Sequence, residues 1–166
     1  MRKDAGLTID FMTTEALSAN LIERYLCTRG SRYFRGQHDG EFFYVANTRP
    51  RRLHVHLGIS RWHSDEFTIQ VTPGCFFPAA DSAELADLAD TWNRHNRDVI
   101  VTVRGSSDPH RVGVVARNSW KIREPITFDD FATSIDHTIA AAIEFFAGLA
   151  SVAECPPPAP LLLDAG

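Results

Sequence analysis

The chain has 166 residues, of which 44% are hydrophobic and 23% charged, the composition of one soluble globular domain that buries roughly 70% of the surface its unfolded chain exposes. No run approaches the ~20 apolar residues of a membrane helix, and the N-terminal MRKDAGLTID lacks the unbroken apolar stretch of a signal peptide. Net charge is −4 but uneven: residues 1–61 hold 10 Lys+Arg against 6 Asp+Glu, and residues 62–166 hold 7 against 15, an acidic half that argues against a phosphate backbone as partner and leaves Arg49, Arg51 and Arg52 as one local basic patch.

Leu7, Ile9 and Phe11 alternate within an N-terminal arm, residues 1–13, and suggest an edge strand or an extended segment. From Thr13 or Thr14, the expected N-cap, Leu17, Leu21 and Tyr25 fall at helical spacing with Ile22 and Leu26 beside them, and Gly30 supplies the stop. Ser31–Arg35 then leads into Asp39-Gly40, a hairpin turn signal, with Phe42–Ala46 as the returning strand. Arg49-Pro50-Arg51 interrupts the run. Over 52–60, Leu53, Val55, Leu57 and Ile59 face one way and His54, His56 and Gly58 the other; Phe67, Ile69 and Val71 alternate likewise with Thr68, Gln70 and Thr72 until Pro73-Gly74. The expectation is an antiparallel meander with one apolar face and one polar face.

A second helix opens at Asp81 or Ser82 and carries Leu85, Leu88, Ala89, Trp92 and Asn96 on one stripe, with Glu84, Asp87 and Asp90 to the side and behind. It runs into Val99, Val101 and Val103, which pair most simply with Val112, Val114 and Ala116 across the loop at Gly105–Pro109. The last helix begins at Thr127, with Asp130 three residues on, and aligns Phe128, Phe131, Ile135, Ile139, Ala142, Ile143, Phe146 and Leu149. Residues 151–166 form a Pro-rich tail ending in Leu161-Leu162-Leu163. Cys27, Cys75 and Cys155 are odd in number and lack CxxC spacing, so neither a disulfide framework nor a zinc site is expected and a reducing cytoplasm fits.

The pieces FFYVA, LHVHLGIS and FTIQVTP, then LADLADTWNRHN before a strand pair, then ITFDDFATSIDHTIAAAIEFFAGL, together resemble the bacterial YbjN-like family over about residues 14–150. The most characteristic piece is the helix end Trp92-Asn93-Arg94-His95-Asn96 feeding a strand. The resemblance implies a type III secretion chaperone-like fold and a chaperone-like or regulatory role, as members are candidate sensory transduction regulators. It implies a binding module, often dimeric, and supplies no catalytic residue to carry over; the expected binding surface for a protein segment is a sheet face, a sheet edge or the second helix.

Two constellations merit chemical scrutiny. His54 and His56, at i and i+2 on one strand, point the same way and could offer two imidazoles to a metal, with His63, Asp65 or Glu66 as a third ligand; the competing reading is ordinary polar positions on an open sheet face. Trp92, Asn93 and Asn96 either close a helix end or form a dimer or partner surface, for which His54 and His56 are further candidates. No GxSxG, GxGxxG or GxxxxGK occurs. The expected object is therefore α+β: an antiparallel sheet of five to six strands and three helices in the order α-β-β-β(-β)-α-β-β-α, non-enzymatic, without cofactor. The alternative is a small metal-dependent enzyme centred on His54 and His56.

Overall fold

The computed structural model describes residues 13–150 and Ala153; the arm through Met12 and the remainder of the tail, with Leu161–Leu163, lie outside the described residues. In chain order the elements are β1 (Thr14–Glu15), α1 (Ala19–Arg29), β2 (Tyr33–Arg35), β3 (Glu41–Ala46), β4 (Leu53–Ile59), β5 (Glu66–Thr72) and β6 (Phe77–Pro78), then α2 (Ser82–His95), β7 (Ile100–Gly105), β8 (Arg111–Lys121), β9 (Ile126–Thr127) and α3 (Phe128–Leu149). This is the expected α+β class, with a seven-stranded antiparallel sheet and a two-stranded one.

The main sheet runs β2-β3-β4-β5-β8, and β7 closes the far side of β8. Its register shows how one long strand serves three neighbours. Ala116 of β8 pairs with Val71 on one side and Val101 on the other, while Val112 pairs with Phe77 and Gly105. β5 and β6 thus follow one another along one edge of β8, and β7 occupies the opposite edge. The sequence suggested a strand of only 112–116 here. The extension to Lys121 was hidden because its inward residue Asn118 is polar; that amide donates to Asp98 O at 2.7 Å, which satisfies it.

Alternation puts Phe42 and Tyr44 of β3, Leu53, Val55 and Leu57 of β4, Phe67, Ile69 and Val71 of β5, and Val112, Val114 and Ala116 of β8 on one face, all buried. Leu21, Ile22, Tyr25 and Leu26 of α1 meet that face beside Phe131, Ile135, Ile139 and Phe146 of α3. Each such fully buried side chain contributes on the order of 1.5–3 kcal/mol. Tyr25 Oη donates to Asp136 Oδ1 at 2.6 Å, and Arg29 bonds both, so the two helices are also tied by a polar cluster.

α1 starts later than its sequence suggests. Ser18, not Thr13 or Thr14, is the N-cap, its Oγ accepting from Leu21 N at 3.1 Å. Thr14 and Glu15 instead pair with Thr127 and Ile126, a long-range contact with no local signal. The stop is the expected one, with Gly30 left-handed at φ 66. α3 begins as read, Thr127 Oγ1 accepting from Asp130 N at 3.1 Å. The opposite face of the sheet carries no helix among the described residues.

Candidate functional site

That open face is set by the same alternation. Register places Phe34 opposite Phe43, Phe43 opposite His56 and His56 opposite Gln70 across β2 to β5, with Val45 opposite His54 and His54 opposite Thr72 in the neighbouring row. Apolar side chains stand in both rows: Phe34 is 61% exposed, Phe43 40% and Val45 41%. Large apolar groups in the polar register of a sheet with no cover mark a surface that gains by being covered. The run FFYVA conceals this, because only Phe42 and Tyr44 turn inward. A period-two reading of β3 flags Phe43 and Val45 as outward.

Three shallow concavities occupy the face. One of about 330 Å3 lies between Glu41, His56, Arg61, Trp62 and Arg117. The next, about 380 Å3, includes Phe43, His54 and Thr72. The third, about 590 Å3, lies at the β2 end and is lined by Arg32, Phe34, Val45, Asn47 and Arg52.

The two histidines of β4 share this face but diverge in their partners. His56 Nε2 lies 3.1 Å from Glu41 Oε1, and its ring rests against Phe43 with centroids 4.6 Å apart. Gly58 leaves room for that ring, since a Cβ there would sit 3.2 Å from His56 Cε1. His54 instead covers the turn after β5, where a Cβ on Gly74 would meet His54 Nε2 at 2.8 Å. Burial alone would raise the Glu41 carboxyl pKa, but the His38 N–H and the His56 ring outweigh it and hold the carboxyl below its ordinary value. No group of three or more His, Cys, Asp or Glu side chains converges to hold a metal among the described residues; His63, Asp65 and Glu66 do not complete one with His54 and His56.

Trp92, Asn93 and Asn96 turn toward their own fold. The Trp92 indole packs edge-on against Phe145 at 5.4 Å and donates Nε1–H to Val99 O at 3.2 Å. Asn93 makes a two-bond clasp with one residue of β7: its Nδ2 donates to Val101 O, and Val101 N donates to its Oδ1, both at 2.8 Å. Asn96 donates both its backbone N–H, at 2.9 Å, and its Nδ2 to Trp92 O, closing the last turn from extended backbone at φ −131 rather than a left-handed turn. Beside them an apolar groove of about 600 Å3 lies between α2 and α3, floored by Leu88, Trp92, Phe145 and Leu149.

Cysteine chemistry departs from expectation. Cys27 is a free, exposed thiol, but Cys75 is disulfide-bonded. The odd count and the absence of CxxC spacing gave no sign of this, because a bridge needs only spatial proximity. Cys155 lies outside the described residues.

Neither the family models nor the curated proteins contain a match to this chain. Solved structures do. YbjN from E. coli, termed a proposed transcription regulator, superposes with a TM-score of 0.65 at 13% identity, covering 87% of this chain and 100% of that one. An uncharacterised protein from Methanothermobacter thermautotrophicus gives a TM-score of 0.49 at 13% identity over 81% of this chain and 98% of its own. No described helix is long and apolar enough to cross a membrane. The order of elements, the open sheet face and the superposition agree: the chain is YbjN-like in fold.

Proposed function

We propose that the protein is a non-enzymatic regulatory or chaperone-like module that holds an extended segment of another protein on the open face of its sheet. The observation that carries this reading is the uncovered row Phe34–Phe43–His56–Gln70, apolar at one end and hydrogen-bonding at the other. A peptide in extended conformation alternates its side chains at the spacing such a face presents. The proposed transcription-regulator role of E. coli YbjN agrees with a regulatory role, and sensory transduction is the setting the family resemblance suggests. Selection of displayed peptides against the full-length chain tests it. Enriched peptides that lose affinity for a Phe43→Asp variant support the reading, and enrichment insensitive to that change overturns it.

The same reading includes a homodimer, for which the groove between α2 and α3 offers apolar surface. Sedimentation across a concentration series checks it, and a monomer throughout would remove the dimer. A cytoplasmic location completes the proposal. The Cys75 disulfide weighs against it, because thiols stay reduced in most cytosols. Alkylation of protein taken from its native host decides the point: Cys75 blocked before any reductant is added places the protein in a reducing compartment.

A further inference from the structure

The open face is not electrically neutral. Among the residues lining its three concavities the charged ones are Arg32, Arg52, Arg61 and Arg117 against Glu41 and Glu66, so 4 − 2 gives +2 in a chain whose total is −4. None of these four arginines makes an ion pair among the described residues. Glu41 is engaged by His56, whereas the concavity at the β2 end contains Arg32 and Arg52 and, among the described residues, no acid. Its floor is Phe34 and Val45, both exposed.

Backbone geometry adds a second feature at the same corner. Gly36 N donates to Glu41 O, which fixes the hydrogen-bonded pairs of this hairpin at alternate positions and makes Phe34 an inward-bonding residue. Tyr33 and Arg35 therefore direct N–H and C=O away from β3, and β2 has no other strand beside it among the described residues. At the opposite margin, the outward groups of Val101 on β7 are already taken by Asn93. Among the described residues the β2 edge has no backbone partner, whereas Asn93 already occupies the Val101 position of the β7 edge.

We infer that the β2 edge and the adjoining Arg32–Arg52 corner receive an extended acidic peptide, added as a strand, with apolar side chains on Phe34 and Val45 and carboxylates on the two arginines. This rests on the reading of the sheet as a segment-holding surface and names the class of segment. Single-stranded nucleic acid would also meet cations and aromatic rings here. The two glutamates within the face and the net charge of −4 favour a peptide, whose few carboxylates need only the acid-free corner.

Fluorescence anisotropy on the full-length chain tests this with a labelled Glu-Val alternating peptide of about ten residues, long enough to pass a short edge strand. The expected result is saturable binding, weakened about tenfold in an Arg32→Ala/Arg52→Ala variant and to a similar degree by methylating alternate peptide nitrogens. A Lys-Val peptide of the same length should not bind. Equal affinity for methylated and unmethylated peptide overturns strand addition; insensitivity to the double substitution overturns the arginine corner. Binding that survives both changes yet is lost in Phe43→Asp keeps the open-face reading and rejects the β2 corner. No binding of the Glu-Val peptide overturns this inference alone, since peptides of other chemistry selected on the Phe43 surface would keep the broader reading. Tighter binding of oligo-dT than of peptide would reassign the face to nucleic acid.

Discussion

The sheet ends in two different ways. At β7, a helix lies alongside: α2 brings Trp92 and Asn93 to the strand, and Asn93 offers an amide that imitates a neighbouring strand by pairing with both backbone groups of Val101. At β2, the described residues place only three strand residues, with outward backbone groups and an apolar, arginine-flanked corner. Exposed edges invite pairing with other chains, and proteins commonly blunt them by covering or by shortness. Here both devices occur, one at each margin. The covered edge spends side-chain hydrogen bonds on closure, while the short edge stays accessible without offering a long template for aggregation.

Four substitutions probe that contrast. Trp92→Ala removes an aromatic contact with Phe145 and the bond to Val99 O and should cost about 3 kcal/mol by denaturant titration, detaching α2 from β7. Asn93→Ala deletes both bonds to Val101 and should cost about 2–3 kcal/mol, because a buried N–H and C=O lose their partners. Faster hydrogen exchange at Val101 than at its neighbour Thr102 would locate the damage at the opened edge. An unchanged stability would mean the clasp is dispensable and that the edges differ less than their geometry implies. Phe34→Ser on the open edge should shift stability by no more than about 0.5 kcal/mol, since the ring is largely exposed, while lowering peptide affinity.

The smallest effect concerns acid. The Glu41 carboxyl titrates below its ordinary value in the folded chain, so it stabilises the fold above that value, and the contribution is lost as pH falls through the folded pKa. Glu41→Gln should therefore lower stability slightly and by a constant amount at neutral pH and flatten the acid limb of the stability–pH curve below about pH 4.5, the ordinary value for this group, so that the two curves converge in acid. An equally steep acid limb in the variant would show that His56 and His38 do not hold this carboxylate.

Much of the architecture is readable without coordinates, for definable reasons. β4 and β5 alternate cleanly, Gly30 ends α1, and Thr127 with Asp130 opens α3, all signals carried by residues within one element. The misses involve distant partners. Thr14 and Glu15 read as the start of a helix because their strand partners lie more than a hundred residues away. Asn118 reads as a break in β8 because its acceptor, Asp98 O, belongs to the loop after α2. Of the site, His54 and His56 were placed correctly on the outward face, but their rings diverge toward Gly74 and Glu41. Arg52 stands out in the sequence only within the basic patch Arg49, Arg51 and Arg52, and Phe34 and Arg32 carry no local signal, since only the β2–β3–β4 register makes the three neighbours.

The sequence by itself determined the three helices and the long strands β3, β4, β5 and β7, which face of each is apolar, and the antiparallel α+β class, because these follow from periods of 3.6 and 2 and from turn and cap chemistry. Tertiary structure alone decided which face stays uncovered, which edge Asn93 closes, and where unpaired arginines meet exposed aromatic rings. Those properties arise from strand order and from side-chain bonds between elements, and neither leaves a periodic trace in the chain.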